Sequence, residues 1–155
     1  MTAPVAWILD TSVVSEMMRP YPEPRVAWFL DAIAIEGIGI ATITVWEILN
    51  GIGGLSLEQR REELATRFQN ILDDIFEDRV LDWTASDALE CAVIMKIKRR
   101  MGESLDHRLP DGMLAGTASS RNLTIVTGNE KAFRNTGVKA INPWVAAAPA
   151  IALRA

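Results

Sequence analysis

Val5-Ala6-Trp7-Ile8-Leu9-Asp10-Thr11-Ser12 is the stretch on which the reading of the fold turns. Its apolar run is too short for a helix and suits a buried strand. The run stops at an acid followed by two hydroxyl side chains. All three can accept a hydrogen bond from a free backbone N–H, so Asp10-Thr11-Ser12 reads as a turn or helix start. A buried strand that leads directly into a helix start is the opening unit of an α/β domain.

The same alternation continues downstream. Arg19-Pro20-Tyr21-Pro22-Glu23-Pro24 is a proline-dense connection. Val26, Phe29, Leu30 and Ile33 then repeat at helical spacing, and Ile38 and Ile40 mark a second strand within 37–42. Thr44 is expected to cap a helix through Leu49 that stops before Gly51, Gly53 and Gly54. Residues 56–79 form a longer helical region with Leu57, Leu64, Phe68, Ile71, Leu72, Ile75 and Phe76 on its apolar side. A brief strand is expected over 80–83. Thr84 then caps a helix with Leu89, Val93 and Ile97 along one side, and Pro110-Asp111 opens another to about residue 119. Further strands are expected over 123–126 and 138–141. This pattern predicts α/β with a mostly parallel sheet, whose ligands bind beyond the carboxyl ends of the strands. The expected organisation is one domain over 1–145, followed by an Ala- and Pro-rich tail over 146–155 that is loosely held.

Composition agrees with a single globular unit: 155 residues, 49% hydrophobic and 23% charged, which argues against a largely disordered chain. Cys91 is the one cysteine, so no internal disulfide can form, and its apolar neighbours mark it as buried filler. The amino terminus has no basic flank, so a signal peptide is not expected. No run nears the roughly 18 apolar residues of a membrane span. A soluble, cytoplasmic protein with no membrane partner is the expectation.

The net charge of −4 provides no overall attraction for nucleic acid, so such a partner would need a local basic patch. Lys96-Ile97-Lys98-Arg99-Arg100 is the best stretch, with His107 and Arg108 close in sequence. Lys98, Arg99 and Arg100 are its candidate substrate contacts, and Arg121, Lys131 and Arg134 are further candidates near the carboxyl-end face. The same cations also read as the solvated end of a helix, where they favour the dipole.

Three acids stand out. Asp10 follows the first strand, Glu47 lies one helical turn past the second, and Asp111 lies in the first turn of a helix. Each is set among apolar or small residues, where an ionised carboxylate is costly unless a cation or hydrogen bonds compensate it. Carboxylates brought together raise one another's pKa unless a metal neutralises them, and Mg²⁺ or Mn²⁺ prefers such oxygen ligands. The plainer alternative makes Asp10 and Asp111 helix caps and Glu47 a surface acid. With His107 the only histidine, no two-histidine zinc site can be built. No G-x-S-x-G elbow is present, and Gly51-Ile52-Gly53-Gly54 lacks the Lys-Ser/Thr of a phosphate loop.

Taken in order, these segments resemble PIN-domain ribonucleases, and among them the VapC-type toxins of toxin–antitoxin pairs, including the FitB-like branch. Trp7 to Glu16 resembles the family's opening motif, Ala41 to Ile48 its second and Leu109 to Ala115 its third. Leu123 to Phe133 resembles the fourth, and Gly137 to Trp144 the ending of that branch. The resemblance implies a three-layer α/β/α domain and an Mg²⁺- or Mn²⁺-dependent endoribonuclease acting on structured RNA such as transfer or ribosomal RNA. It makes Asp10, Glu47 and Asp111 the catalytic, metal-binding acids. Thr11, Ser12, Thr127 and Asn129 are expected beside them to hold substrate. A homodimer and a covering antitoxin are implied as partners. At the fourth motif this chain has Asn129 and Ala132 where the family often has an acid, which bears on a second metal ion. Two rival readings remain open: a PIN-like protein that binds RNA or a partner without cutting, and a metal phosphoesterase acting on DNA.

Overall fold

Every side chain of β1 (Trp7–Leu9) is buried, as a strand in the middle of a sheet requires. The computed structural model describes residues 4–105 and 108–147. After β1 come α1 (Thr11–Met17), α2 (Pro24–Ile33), β2 (Ile38–Ala41), α3 (Thr42–Gly53) and α4 (Glu58–Ile71). Then follow β3 (Val80–Leu81), α5 (Ala85–Arg100), α6 (Leu109–Arg121), β4 (Thr124–Val126) and β5 (Ala140–Ile141). The strands form one sheet in the order β3-β2-β1-β4-β5. Each of the four pairings is parallel, with Ile8 opposite Gly39 on one side and Ile125 on the other.

Side chains alternate across a strand, and here that splits the core in two. Trp7, Leu9, Ile38, Ile40 and Val126 face a layer built from α1 to α4, where they meet Val13, Phe29, Ile48 and Phe68. Ile8, Ala41 and Ile125 face α5 and α6, where they meet Ile94, Leu114, Ala115 and Ala118. The result is a three-layer α/β/α domain with a parallel five-stranded sheet at its centre.

Several elements differ from the sequence expectation. α3 begins at Thr42, so Thr44 is not its cap but a fully buried residue inside it, its hydroxyl without a hydrogen-bond partner. α3 also runs through Gly51 to Gly53. A helical glycine costs about 1 kcal/mol, which the burial of Ile48 and Ile52 offsets. The long helix expected to residue 79 ends at Ile71 and passes into a π-helical turn, Leu72–Phe76, that carries Phe76 inward. In α5 the side formed by Leu89, Val93 and Ile97 is turned to solvent; Cys91, Ile94 and Lys98 are the residues that face the core. Phe29 is core, as its helical spacing predicts, whereas Tyr21 within the proline-dense connection and Trp28 on α2 are 89% and 71% exposed.

The layer of α5 and α6 is closed by two features. A Cβ at Gly116 would stand 2.7 Å from the Asp87 carbonyl oxygen and 2.9 Å from the Cys91 Cβ, so only glycine allows the helices to meet this closely. Asp87 itself, buried at the start of α5, completes a capping box with Thr84. It also accepts hydrogen bonds from Thr117, Ser120 and Arg121 at the end of α6. The expected tail begins with Ala146, which packs on the core; residues 148–155, like His107, lie outside the described residues.

Candidate acidic site

Parallel strands leave one edge of the sheet where every strand ends, and the next helix must start there. Asp10 continues β1 by donating its N–H to the Val126 carbonyl at 2.9 Å, then turns the chain into α1 as its N-cap. Its Oδ1 accepts the Thr11 N–H at 2.7 Å and its Oδ2 accepts the Thr127 hydroxyl at 2.7 Å. Asp10 is therefore both a cap and a buried acid whose carboxylate is held by the ends of two strands. Glu47 projects from α3, which starts at the end of β2, and its Oε1 accepts the Thr11 hydroxyl at 2.9 Å. Asp111 lies in the first turn of α6, the helix whose far end leads back into β4.

The electrostatics couple these three. Burial is the main force raising the Asp10 carboxyl above its ordinary range, against the pull of the Thr127 hydroxyl and the Thr11 N–H. Burial also raises Glu47, and the negative charges of Asp10 and Asp111 raise it further. Asp111 is raised by burial and by Asp10, while Arg108 and Lys98 pull it down. Two acids thus push up Glu47, and the folded chain holds the three carboxylates together at an electrostatic cost that a cation would relieve. Among the described residues, no three or more His, Cys, Asp or Glu side chains are grouped so that they could hold a metal ion.

The neighbours expected from sequence divide. Thr11 and Thr127 touch the acids directly. Ser12 stands behind them, its Oγ accepting the Gly128 N–H at 3.0 Å, and the Asn129 N–H is held by the Thr127 hydroxyl oxygen at 3.0 Å. Arg99 and Arg100 are exposed at the end of α5, as are Lys131 and Arg134 in the segment after Asn129. Lys98 is not a surface cation as expected: it is 1% exposed, and its Nζ donates to Glu103 Oε2 at 3.0 Å, the Ala132 carbonyl at 3.0 Å and the Arg134 carbonyl at 2.8 Å. All three of its donors are thereby used. Arg121 is also displaced from its expected place. α6 carries it to the opposite edge, roughly 15 Å along the helix from Asp111, where it pairs with Asp87 at 2.7 Å.

A cleft of about 450 Å³ opens beside Thr11 and Glu47, walled by Met18, Ile48, Ile52, Leu55 and Leu64, with Arg19 and Arg60 at its lining. It is made by residues from α1, α3 and α4, and no linear spacing signals their meeting.

A fold of this topology with an acidic pocket at the strand ends defines a PIN domain. The PIN domain family model matches residues 7–139, and the chain belongs to that family. It is similar to the toxin FitB of Neisseria gonorrhoeae, with 31% identity over 137 residues covering 88% of this chain and 97% of that one. The VapC ribonuclease Y4jK of Sinorhizobium fredii is 28% identical, over 88% of this chain and 96% of the relative. Among solved structures, FitAcB from Neisseria gonorrhoeae superposes with a TM-score of 0.80 at 30% identity, over 90% of this chain and 99% of that one. The chain is thus a PIN-domain protein closely related to the FitB and VapC toxins.

Proposed function

We propose that the chain is the toxin of a toxin–antitoxin pair and acts on structured RNA at the acidic edge of its sheet. The finer reading is divalent-ion-dependent endoribonucleolysis. The observation that carries it is the grouping of buried Asp10 with half-buried Glu47 and Asp111: burial raises the pKa of all three, the charge of Asp10 raises Glu47 and Asp111 further, and no lysine or arginine is hydrogen-bonded to them among the described residues. That donor set fits Mg²⁺ or Mn²⁺, which binds through one or two carboxylates and keeps several waters, so a three-acid cage is not required. Such an ion, when bound, supplies positive charge to the scissile phosphate and acidity to a water. The chain's own residues do the rest. Thr127 and the Thr11 N–H fix the Asp10 carboxylate, the Thr11 hydroxyl fixes Glu47, and Glu47 or Asp111 orients the attacking water. Water adds to phosphorus and the bond to the 3′ oxygen breaks, leaving 5′-phosphate and 3′-hydroxyl ends.

Exposed Arg99, Arg100, Lys131 and Arg134 are the cations available to RNA phosphates. The apolar cleft beside Thr11 and Glu47 suits an antitoxin segment, and an arginine from it could pair with the acids. The outward stripe Leu89, Val93, Ile97 and Met101 suits a homodimer through α5. α5 carries Glu90 toward its start and Lys96, Arg99 and Arg100 toward its end, so antiparallel pairing about a two-fold axis sets acid against base.

A second reading, a catalytically weakened member that binds RNA or a partner, is favoured by the lack of a ready-made three-acid cage among the described residues. End-labelled small RNA incubated with Mn²⁺, Mg²⁺ or EDTA separates the two, with a DNA substrate in parallel. Discrete metal-dependent RNA fragments that vanish in Asp10→Asn support the ribonuclease. RNA retention without cleavage by the folded wild type transfers the conclusion to the binding protein, and cleavage of DNA alone to the phosphoesterase.

A further inference from the structure

We propose that Trp144 is a positioning residue for the acidic site: its indole, packed on Gly128, holds the turn 127–129 so that the Thr127 hydroxyl stays on the Asp10 carboxylate. This rests on the reading of the acidic edge as the active site, and it brings to that site a residue from the far end of the described chain.

Thr127 is fully buried, and its hydroxyl donates to Asp10 Oδ2 at 2.7 Å while accepting the Asn129 N–H at 3.0 Å. Gly128, between the two, gives its own N–H to Ser12 Oγ at 3.0 Å. Residues 127–129 belong to no helix or strand, so their place depends on what fastens them. One fastening is the Trp144 ring. A Cβ on Gly128 would stand 2.9 Å from Trp144 Cζ3 and 3.4 Å from Cε3, with Ser12 Oγ at 3.5 Å. The Gly128 backbone is not left-handed, so the missing side chain serves this close approach and not a turn conformation.

The ring can brace the turn because Trp144 is itself held. Asn142 accepts the Trp144 N–H on Oδ1 at 2.9 Å and the Ala146 N–H on its carbonyl at 2.9 Å, which folds the chain back on itself. The Trp144 carbonyl accepts from Arg25 of α2 at 3.4 Å, and its half-buried side chain packs on the core between the sheet and α1 to α4. Two further bonds join this C-terminal turn to the site. The Thr127 N–H donates to the Ile141 carbonyl at 2.9 Å, and the Asn142 N–H donates to Glu130 Oε1 at 2.9 Å. The stretch 127–130 is thus tied to 141–142 at both ends, with the indole against its middle. A threonine hydroxyl reaches one partner from one staggered rotamer, and a hydrogen bond weakens steeply once its angle is lost. A turn free to shift would therefore let go of Asp10 before it disturbed the sheet.

The test compares the full chain with Trp144→Leu, and with Gly128→Ala, which keeps the indole and only crowds it. Two readouts need no cleavage: three-bond couplings of the Thr127 methyl, which report its rotamer, and amide exchange at Asn129 against Ile125 in β4. Both variants are expected to average the Thr127 rotamer and to speed exchange at Asn129 roughly tenfold while Ile125 stays protected. On end-labelled small RNA with Mn²⁺, kcat should fall by up to roughly a hundredfold with KM nearly unchanged. In the double variant the added methyl meets no ring, so Gly128→Ala should cost less there than in the wild type. An unchanged Thr127 rotamer in folded Trp144→Leu would overturn the inference, as would strictly additive effects of the two substitutions. Protection lost equally at Ile125 and Asn129 would also overturn it, since Trp144 would then serve only the core. So would local loosening with kcat unchanged. A wild type that cuts no RNA removes the nuclease reading alone; loosening confined to Thr127 and Asn129 then still supports the brace, and its absence still overturns it.

Discussion

Asp10 shows how one residue can serve structure and site with opposing energetics. As a cap it satisfies the first N–H of α1; as a buried acid it is destabilising when ionised. An acid whose folded pKa is raised favours folding below its unfolded pKa, and that favour is lost as pH rises through the folded value. Glu47 and Asp111 share this sign. In the metal-free protein Asp10→Asn should therefore melt higher than the wild type at pH 7.5, and the difference should vanish near pH 4. Each kcal/mol so relieved is worth about 2–4 °C in a domain of this size. Calorimetry across that pH range checks the sign; a lower melting temperature for the variant at pH 7.5 would refute it. Asp87 has the opposite sign. Burial pushes its pKa up, but hydrogen bonds from Arg121, Ser120 and the Thr84 hydroxyl and N–H outweigh it and hold the value at about 2 against an ordinary 3.8. Its contribution is present above pH 4 and lost as pH falls toward 2, roughly 2 kcal/mol in all. Asp87→Asn should lose at least that much at pH 7 in urea denaturation and show a flatter loss of stability between pH 4 and pH 2.

At the scale of elements, α5 is the informative one. Its inner side is set by how closely α6 can approach, which Gly116 permits. Gly116→Ala should cost about 1–3 kcal/mol, as overpacking does, although alanine is the better helix former. Guanidinium unfolding measures this, and no loss would mean that the helices separate freely. The outer side of α5 is a stripe of exposed apolar residues at four-residue spacing. If α5 pairs with its copy, Val93→Glu should convert a dimer to a monomer by light scattering. Because Val93 is 55% exposed, the monomer's own melting should change little. A wild type that is monomeric at high concentration would exclude the pairing.

For the whole molecule, the net charge of −4 means that RNA must be held by position and not by overall attraction. Lys98 is spent inside and Arg121 at the far edge, which leaves Arg99 and Arg100 among the exposed cations near the start of α6. Replacing both with alanine should weaken binding of a catalytically silenced chain to RNA several-fold. It should also shallow the salt dependence, by roughly 0.7 per lost contact with a single strand. Fluorescence anisotropy at several salt concentrations reads both, and an unchanged slope would place the RNA elsewhere.

The chain's alternation of short apolar runs with helix signals was enough to predict the parallel α/β sheet, since buried strands and amphipathic helices are local patterns. The order of Asp10 and Glu47 along those elements likewise placed both at the strand-end edge, because parallel strands all finish on one side; Asp111, read only as the start of a helix, reaches that edge because α6 runs from it back to the start of β4. Their coupling followed once the edge closed. Other features were not legible, since they depend on what lies opposite. Thr44 carries the side chain of a cap, yet it is swallowed by α3. Leu89, Val93 and Ile97 form an apolar helical side that periodicity alone would turn inward, but Gly116 selects the smaller face of α5. Lys98 reads as one more cation in a basic run; only the 130–134 segment, more than thirty residues away, supplies the carbonyls that bury it. Local pattern decides which elements form and where their ends lie. Which face is covered, and which charge is left free for a ligand, is decided by contacts between residues distant in the chain, and these exist only in the folded protein.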